Sequence, residues 1–184
     1  MEGDYIKMSA SKTSKRTNLV KSFAKAIMDP NIYGTINYMN MSESAIKQFM
    51  YSFLLEEVNK QYLREKKCKP ERALKKAKEI LMWEGNMNTT VNNIRFMGTG
   101  NRPDFVIDFP GTSIAVEVKK GKNGAAIREG FGQATIYTTK YDFAVYLFID
   151  TSKTKKIAGS INESTEKDMI KKLWKNNNVH FCVV

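Results

Sequence analysis

Asp104, Glu117 and Lys119 are the residues of this chain whose types and spacing could do chemistry. They stand on two short stretches, DFVIDF (104–109) and SIAVEVK (113–119), separated by Pro110-Gly111. Both stretches alternate in the period of a β-strand, and Pro-Gly marks a turn. A hairpin centred on that dipeptide sets Phe109 opposite Thr112, and therefore Asp104 opposite Glu117. Any even-length symmetric loop keeps this register, whereas an odd loop or a bulge shifts it. Side chains alternate across a strand, so Phe105, Ile107 and Phe109 share a face with Ile114, Val116 and Val118. That face is wholly apolar and must look into the core. Asp104, Val106, Asp108, Ala115, Glu117 and Lys119 share the other face, with the two acids and the lysine converging at the end remote from the turn. Asp108 lies nearer the turn and is the fallback acid for a shifted register.

Such a trio suits hydrolysis of a phosphodiester. Two carboxylates can hold a divalent cation, which polarises the phosphate and lowers the pKa of a bound water. A lysine two residues after the second acid points to the same side, where it can serve the water or neutralise developing charge. The competing reading is an exposed strand face whose charges pair with one another.

Composition narrows the chemistry. The chain has 184 residues, enough for one domain with a real core. Its 42% hydrophobic and 27% charged residues are those of a globular protein. No stretch approaches eighteen consecutive apolar residues, and the polar opening MEGDYIKMSASKTSKR lacks the apolar core of a signal peptide. The expectation is a soluble protein, cytoplasmic or otherwise intracellular, with no membrane partner. Cys68 and Cys182 have no zinc-type spacing and read as free thiols, Cys182 as a small core residue. The single histidine, His180, beside Val179 and Phe181, reads as structural. A histidine-rich zinc site is thereby excluded, and oxygen ligands point to Mg²⁺ or Mn²⁺. A net charge of +11 and a pI of about 9.6 favour a polyanionic partner, nucleic acid before an anionic membrane. The excess is spread along the chain rather than gathered in one tail.

The elements that must position the trio follow from pattern. Residues 1–41 read as a basic N-terminal arm carrying a short helix, Asn18 to Met28, stopped by Asp29-Pro30. Ser42 opens a strong helix with Ile46, Met50, Phe53, Leu54 and Gln61 on one side. A second helix starts after Pro70 and runs to about Trp83. Strands are expected at 89–97, 104–109 and 113–119, then a helix from Gly124 to Lys140 and a buried strand at 143–149. A helix from Glu163 to Asn176, with Met169, Ile170, Leu173 and Trp174 inward, and a strand at 179–184 complete residues 42–184. This is an α/β domain with a mixed central sheet flanked by helices and extra N-terminal helices.

With the elements in place, RPDFVIDFPGTSIAVEVKK resembles the signature of the PD-(D/E)xK nuclease superfamily: Pro103-Asp104, then Glu117-Val118-Lys119 on an adjacent apolar strand. Gln133-Ala134-Thr135-Ile136-Tyr137 is similar to the QxxxY element of its RecB-like and lambda-exonuclease-like branches. Gln133 and Tyr137 lie four residues apart, on one helical face. The restriction-endonuclease-like core runs α-β-β-β-α-β, the order expected over residues 42–149. The resemblance implies that Asp104, Glu117 and the Val118 carbonyl bind Mg²⁺ or Mn²⁺. It further implies that Lys119 serves the attacking water, and that Gln133 and Tyr137 brace the site or touch the substrate strand. Many members place another acid on the preceding helix. The candidates are Glu43, Glu56 and Glu57, and Glu57 is preferred because it falls among Ile46, Met50 and Phe53 on the apolar stripe. Arg102, Lys120, Lys122 and Arg128 surround the trio and are candidates for phosphate contact.

The implied activity is a metal-dependent deoxyribonuclease, with RNA left open. A compact basic domain of this kind resembles Holliday-junction resolvases and small viral or phage-type nucleases, so a junction or flap is a natural substrate and a symmetric homodimer a natural state. The first alternative is a nucleic-acid-binding protein that keeps the fold without cutting. The second is an interaction protein whose charge serves solubility.

Overall fold

Ser42 sets where the longest helix begins: its side chain accepts a hydrogen bond from the Ala45 N–H at 3.1 Å, satisfying one of the free donors of a helix N-terminus. The computed structural model describes residues 11–87 and 90–184. Along them run α1 (Ser14–Ile27), α2 (Pro30–Thr35), α3 (Glu43–Lys66), α4 (Pro70–Ile80), β1 (Leu81–Trp83), β2 (Ile94–Phe96), β3 (Thr99–Asn101), β4 (Phe105–Phe109), β5 (Thr112–Gly121), α5 (Gly124–Tyr137), β6 (Phe143–Asp150), α6 (Lys156–Ser160), α7 (Ser164–Asn177) and β7 (Val179–Val183). No helix among the described residues is long and apolar enough to cross a membrane.

One five-stranded sheet, in the order β1-β4-β5-β6-β7, divides the molecule. β1, β4 and β5 are antiparallel, while β5, β6 and β7 run parallel. The parallel pairs need crossovers, which α5 and the α6–α7 segment supply. Phe109 pairs with Thr112 and Phe105 with Val116, so the hairpin has the even register expected of it. Phe105, Ile107, Phe109, Ile114, Val116 and Val118 are buried in one cluster with residues of α1, α3 and α4. Val106 and Ala115 are buried in a second cluster, beneath Ala134 and Tyr137 of α5. The architecture is a mixed sheet between two helical layers, the α/β class the sequence pattern implies.

Three elements differ from expectation. The helix read to Trp83 stops at Ile80, and Leu81, Met82 and Trp83 pair with Ile107, Val106 and Phe105 as the edge strand. Trp83 stacks on Phe105 with ring centroids 6.1 Å apart, and a side chain at Gly85 would overlap the Trp83 ring. Aromatic burial there outweighs a local helical preference. The strand read at 89–97 begins outside the described residues. Its remainder, β2, pairs only with β3 in a separate two-stranded ribbon, closed by Met97 and Gly98 at positive φ. Met169, expected inward on α7, is 53% exposed, and Leu173 and Trp174 make that helix's packing contacts instead.

Of the N-terminal arm, residues 1–10 lie outside the described residues. α1 begins earlier than expected, with Thr13 as its cap, and buries Leu19, Val20, Phe23, Ala24 and Ile27 in the same cluster as α3 and the sheet. His180 is on β7, its ring edge-on to Trp174, and neither cysteine is in a disulfide.

The close seat of α5 on β6 depends on Gly130: a Cβ there would fall within the Tyr146 ring. The Tyr146 hydroxyl in turn donates to the Ala126 carbonyl at 3.2 Å. Alanine is the better helix former by about 1 kcal/mol, but overpacking costs about 1–3 kcal/mol, and the backbone of α5 cannot yield without lifting its whole face. Gly130→Ala is therefore expected to lower the urea midpoint; an increase would show that α5 does not press on Tyr146.

Candidate active site

Asp104 immediately precedes β4, and Glu117 is on β5 opposite it; both carboxyls are buried, at 4% and 3% exposure. The β4–β5 ladder ends at Phe105 and Val116, which leaves the Val118 N–H beyond the last strand partner. Asp104 takes it: Oδ2 accepts from Val118 N at 2.7 Å. Its other oxygen, Oδ1, meets Lys47 Nζ of α3 at 2.5 Å. Glu117 is partnered by Tyr137 of α5 and by Lys119 of its own strand. Its Oε2 lies 3.0 Å from the Tyr137 hydroxyl, and its Oε1 3.3 Å from Lys119 Nζ. Lys119 also reaches Glu129 at 3.1 Å, and the Tyr137 hydroxyl lies 3.0 Å from the Arg102 carbonyl.

Glu129, Gln133 and Tyr137 are spaced by four residues on α5 and form one stripe facing the acids. Asn123 starts that helix by accepting hydrogen bonds from the Ala125 and Ala126 N–H groups. The Gln133 Oε1 atom, in the middle of the stripe, is buried and has no hydrogen-bond partner. A buried acceptor without a donor or cation is costly.

Burial dominates the electrostatics. It pushes the Glu117 carboxyl up to about 8, the neighbouring Asp104 adding to the rise while Lys119 and Tyr137 oppose it. Burial also raises Asp104, against the pull of Lys47 and the Val118 N–H. Lys47 and Lys119 lose hydration as well, but the acids beside them outweigh this and hold both ammonium groups above their ordinary value.

Glu117 is thus in contact with both Lys119 and Tyr137, Asp104 stands close enough to raise its carboxyl, and Gln133 shares the face of α5 that carries Tyr137. Val118 contributes its N–H to Asp104. A residue on an extended strand turns its N–H and C=O to the same neighbour, so its carbonyl looks toward the same edge. Glu57 is elsewhere. It lies ten residues beyond Lys47, about 15 Å along the helix axis, where its carboxylate accepts from Gln61 Nε2 at 2.5 Å. The helical acid beside the pair is Glu43, whose Oε1 meets Lys47 at 2.8 Å and whose Oε2 accepts the Lys120 N–H at 2.8 Å. Helical phase puts Glu57 on the apolar stripe, but only packing decides which end of α3 overlies the hairpin. Lys47 and Glu129 went unread as site residues. Their signal is the i,i+4 spacing Glu43–Lys47 and Glu129–Gln133.

Among the basic candidates, Lys120 is committed to structure: its Nζ donates to the Met39 and Met41 carbonyls at 2.8 and 2.6 Å. Arg102 meets Asn93 at 3.3 Å and Glu84 at 3.5 Å and remains exposed, as are Lys122 and Arg128. Asp108 is exposed near the turn, on the far side of the buried Val106 and Ala115 from the acid pair.

No protein-family model matches the chain, and a search of curated proteins found no relative. A solved structure described as "Restriction endonuclease PspGI-substrate DNA complex" is similar at 16% identity, covering 90% of this chain and 76% of that one, with a TM-score of 0.33. A likeness so loose carries no residue roles across.

Whether a metal suits the site is a question of its donors. Among the described residues no three Asp, Glu, His or Cys side chains gather as a metal cage. The donors at hand are two buried carboxylates and a strand carbonyl, with the orphaned Gln133 oxygen on the covering helix. All are oxygen, and the carboxylates repel each other. That set fits a hard divalent cation such as Mg²⁺ or Mn²⁺, which completes its shell with water.

Folding raises Glu117 from an ordinary value of 4.5 to about 8. Its protonated form is the one the fold favours, so its contribution to stability is complete below 4.5 and is lost as pH rises through 8. Asp104 acts in the same sense. Thermal melts in EDTA should therefore show stability falling across this window, with a shallower fall in Glu117→Gln. Equal slopes in the two proteins would refute the raised carboxyl.

Proposed function

We propose that this chain is a divalent-metal-dependent nuclease that hydrolyses DNA phosphodiester bonds. The observation that carries the reading is the burial of Asp104 and Glu117 side by side, at the open end of the β4–β5 hairpin, with Lys119 on the same face. Buried carboxylates held together against their repulsion are expensive, and a cation-dependent reaction gives them a use. Mg²⁺ or Mn²⁺ would be held by Asp104, Glu117 and the Val118 carbonyl, and would supply charge neutralisation and an acidified water.

Each remaining role belongs to the chain itself. Lys119, on the same face as the acids and 3.3 Å from Glu117, serves the attacking water and offsets the growing phosphate charge. Tyr137, between Glu117 and the Arg102 carbonyl, fixes the carboxylate and ties α5 to the segment leading into Asp104. The free Gln133 oxygen can accept a hydrogen bond from the attacking water. Arg102, Lys122 and Arg128 are exposed and suit phosphate contact, and the net charge of +11 draws the polyanion in. Lys120 serves in the fold. Glu43, rather than Glu57, is the helical acid at the pair, and it holds Lys47 there.

The test is cleavage of supercoiled, linear, single-stranded and four-way-junction DNA with Mg²⁺, Mn²⁺ or EDTA. Metal-dependent cutting should fall by at least about 100-fold in Asp104→Asn and in Lys119→Ala, the scale of losing one charge-stabilising group. Salt-sensitive binding without cutting on any substrate would overturn the reading in favour of a binding protein that keeps the fold.

A further inference from the structure

The acid pair already has a cation beside it, and that cation belongs to the chain. Lys47 Nζ lies between two carboxylates from different layers, 2.8 Å from Glu43 Oε1 on α3 and 2.5 Å from Asp104 Oδ1 before β4. Both acids are fixed from behind by strand backbone. Glu43 Oε2 accepts the Lys120 N–H at 2.8 Å, and Asp104 Oδ2 accepts the Val118 N–H at 2.7 Å. Each carboxylate thus spends one oxygen on β5 and turns the other to a shared point. The side chain of Lys47 is only 15% exposed. A positive charge at that point is built into the packing of α3 on the sheet.

We infer that the Lys47 ammonium stands permanently where a second divalent ion would bind, so that the chain takes one metal and carries its second cation covalently. This rests on the nuclease reading and specifies how that site is charged. An ammonium has three donors, and Glu43 and Asp104 take two. The third is left for a phosphate oxygen, the role of the second ion in paired-metal sites, where it steadies the leaving oxygen. Unlike a metal, Lys47 cannot acidify water, so that task would be left to a cation held by Asp104 and Glu117. The arrangement also divides the two lysines: Lys119 serves the attacking side, and Lys47 the opposite side of the acid pair.

The experiment counts bound Mn²⁺ on the full chain without DNA, by electron paramagnetic resonance of the free ion, with circular dichroism to confirm folding. Wild type should bind one ion. Lys47→Met, which keeps the buried stem and removes the charge, should bind two, as should Lys47→Ala. Lys47→Arg should bind one, and adding Glu43→Gln to Lys47→Met should return the count to one. Two ions on wild type would overturn the inference whatever the variants do. One ion on folded Lys47→Met would overturn it while leaving the metal-dependent reading intact. No ion on wild type would overturn both.

Discussion

Two carboxyl groups buried within reach of one another constrain everything around them. Separating a charge from water inside a protein is costly unless a partner of opposite sign or a good donor replaces the hydration. Here the replacement is divided between layers. Asp104 is served by a helix on one side of the sheet, through Lys47, and by the strand itself, through the Val118 N–H. Glu117 is served from the other side by the Tyr137 hydroxyl, and along its own strand by Lys119. Burial, with repulsion from Asp104 added to it, raises the Glu117 carboxyl.

That division explains why both helical layers must be close. On one side Ile46, Met50, Leu54 and Val58 are fully buried and lay α3 along the sheet. Glu43 and Lys47 are thereby brought over the end of the hairpin. On the other side, Gly130 lets α5 settle onto Tyr146, and the stripe Glu129, Gln133, Tyr137 comes down over Glu117 and Lys119. The edge strand adds a third fixture: the Glu84 N–H donates to the Asp104 carbonyl at 3.0 Å. The acid is held by backbone as well as by side chain.

Much of this was legible in the chain. Strict alternation across 104–109 and 113–119, around a Pro-Gly turn, set the register, because slipping by one residue would have turned an apolar face to water. The spacing from Gln133 to Tyr137 put both on one face of α5 for the same kind of reason. The edge strand was misread because Leu81, Met82 and Trp83 carry no period of their own after a helix. Their conformation is decided by Phe105 and Gly85, which are distant or unremarkable in sequence. Glu57 was preferred to Glu43 because helical phase reports a direction around the axis and says nothing of position along it.

The sequence by itself therefore determined what is local and periodic: which residues alternate, which helix faces are apolar, and which acids share a strand face with Lys119. The tertiary structure alone decided what depends on how helices are laid across the sheet. It laid Glu43 rather than Glu57 beside Lys47 and β5, brought Lys47 to Asp104 across 57 residues of chain, and withdrew Lys120 into a backbone contact. The physical reason is that an ion pair between elements depends on the relative placement of two packed surfaces. That placement is set by the sum of apolar contacts over α3 and the sheet, and no single stretch of residues encodes it.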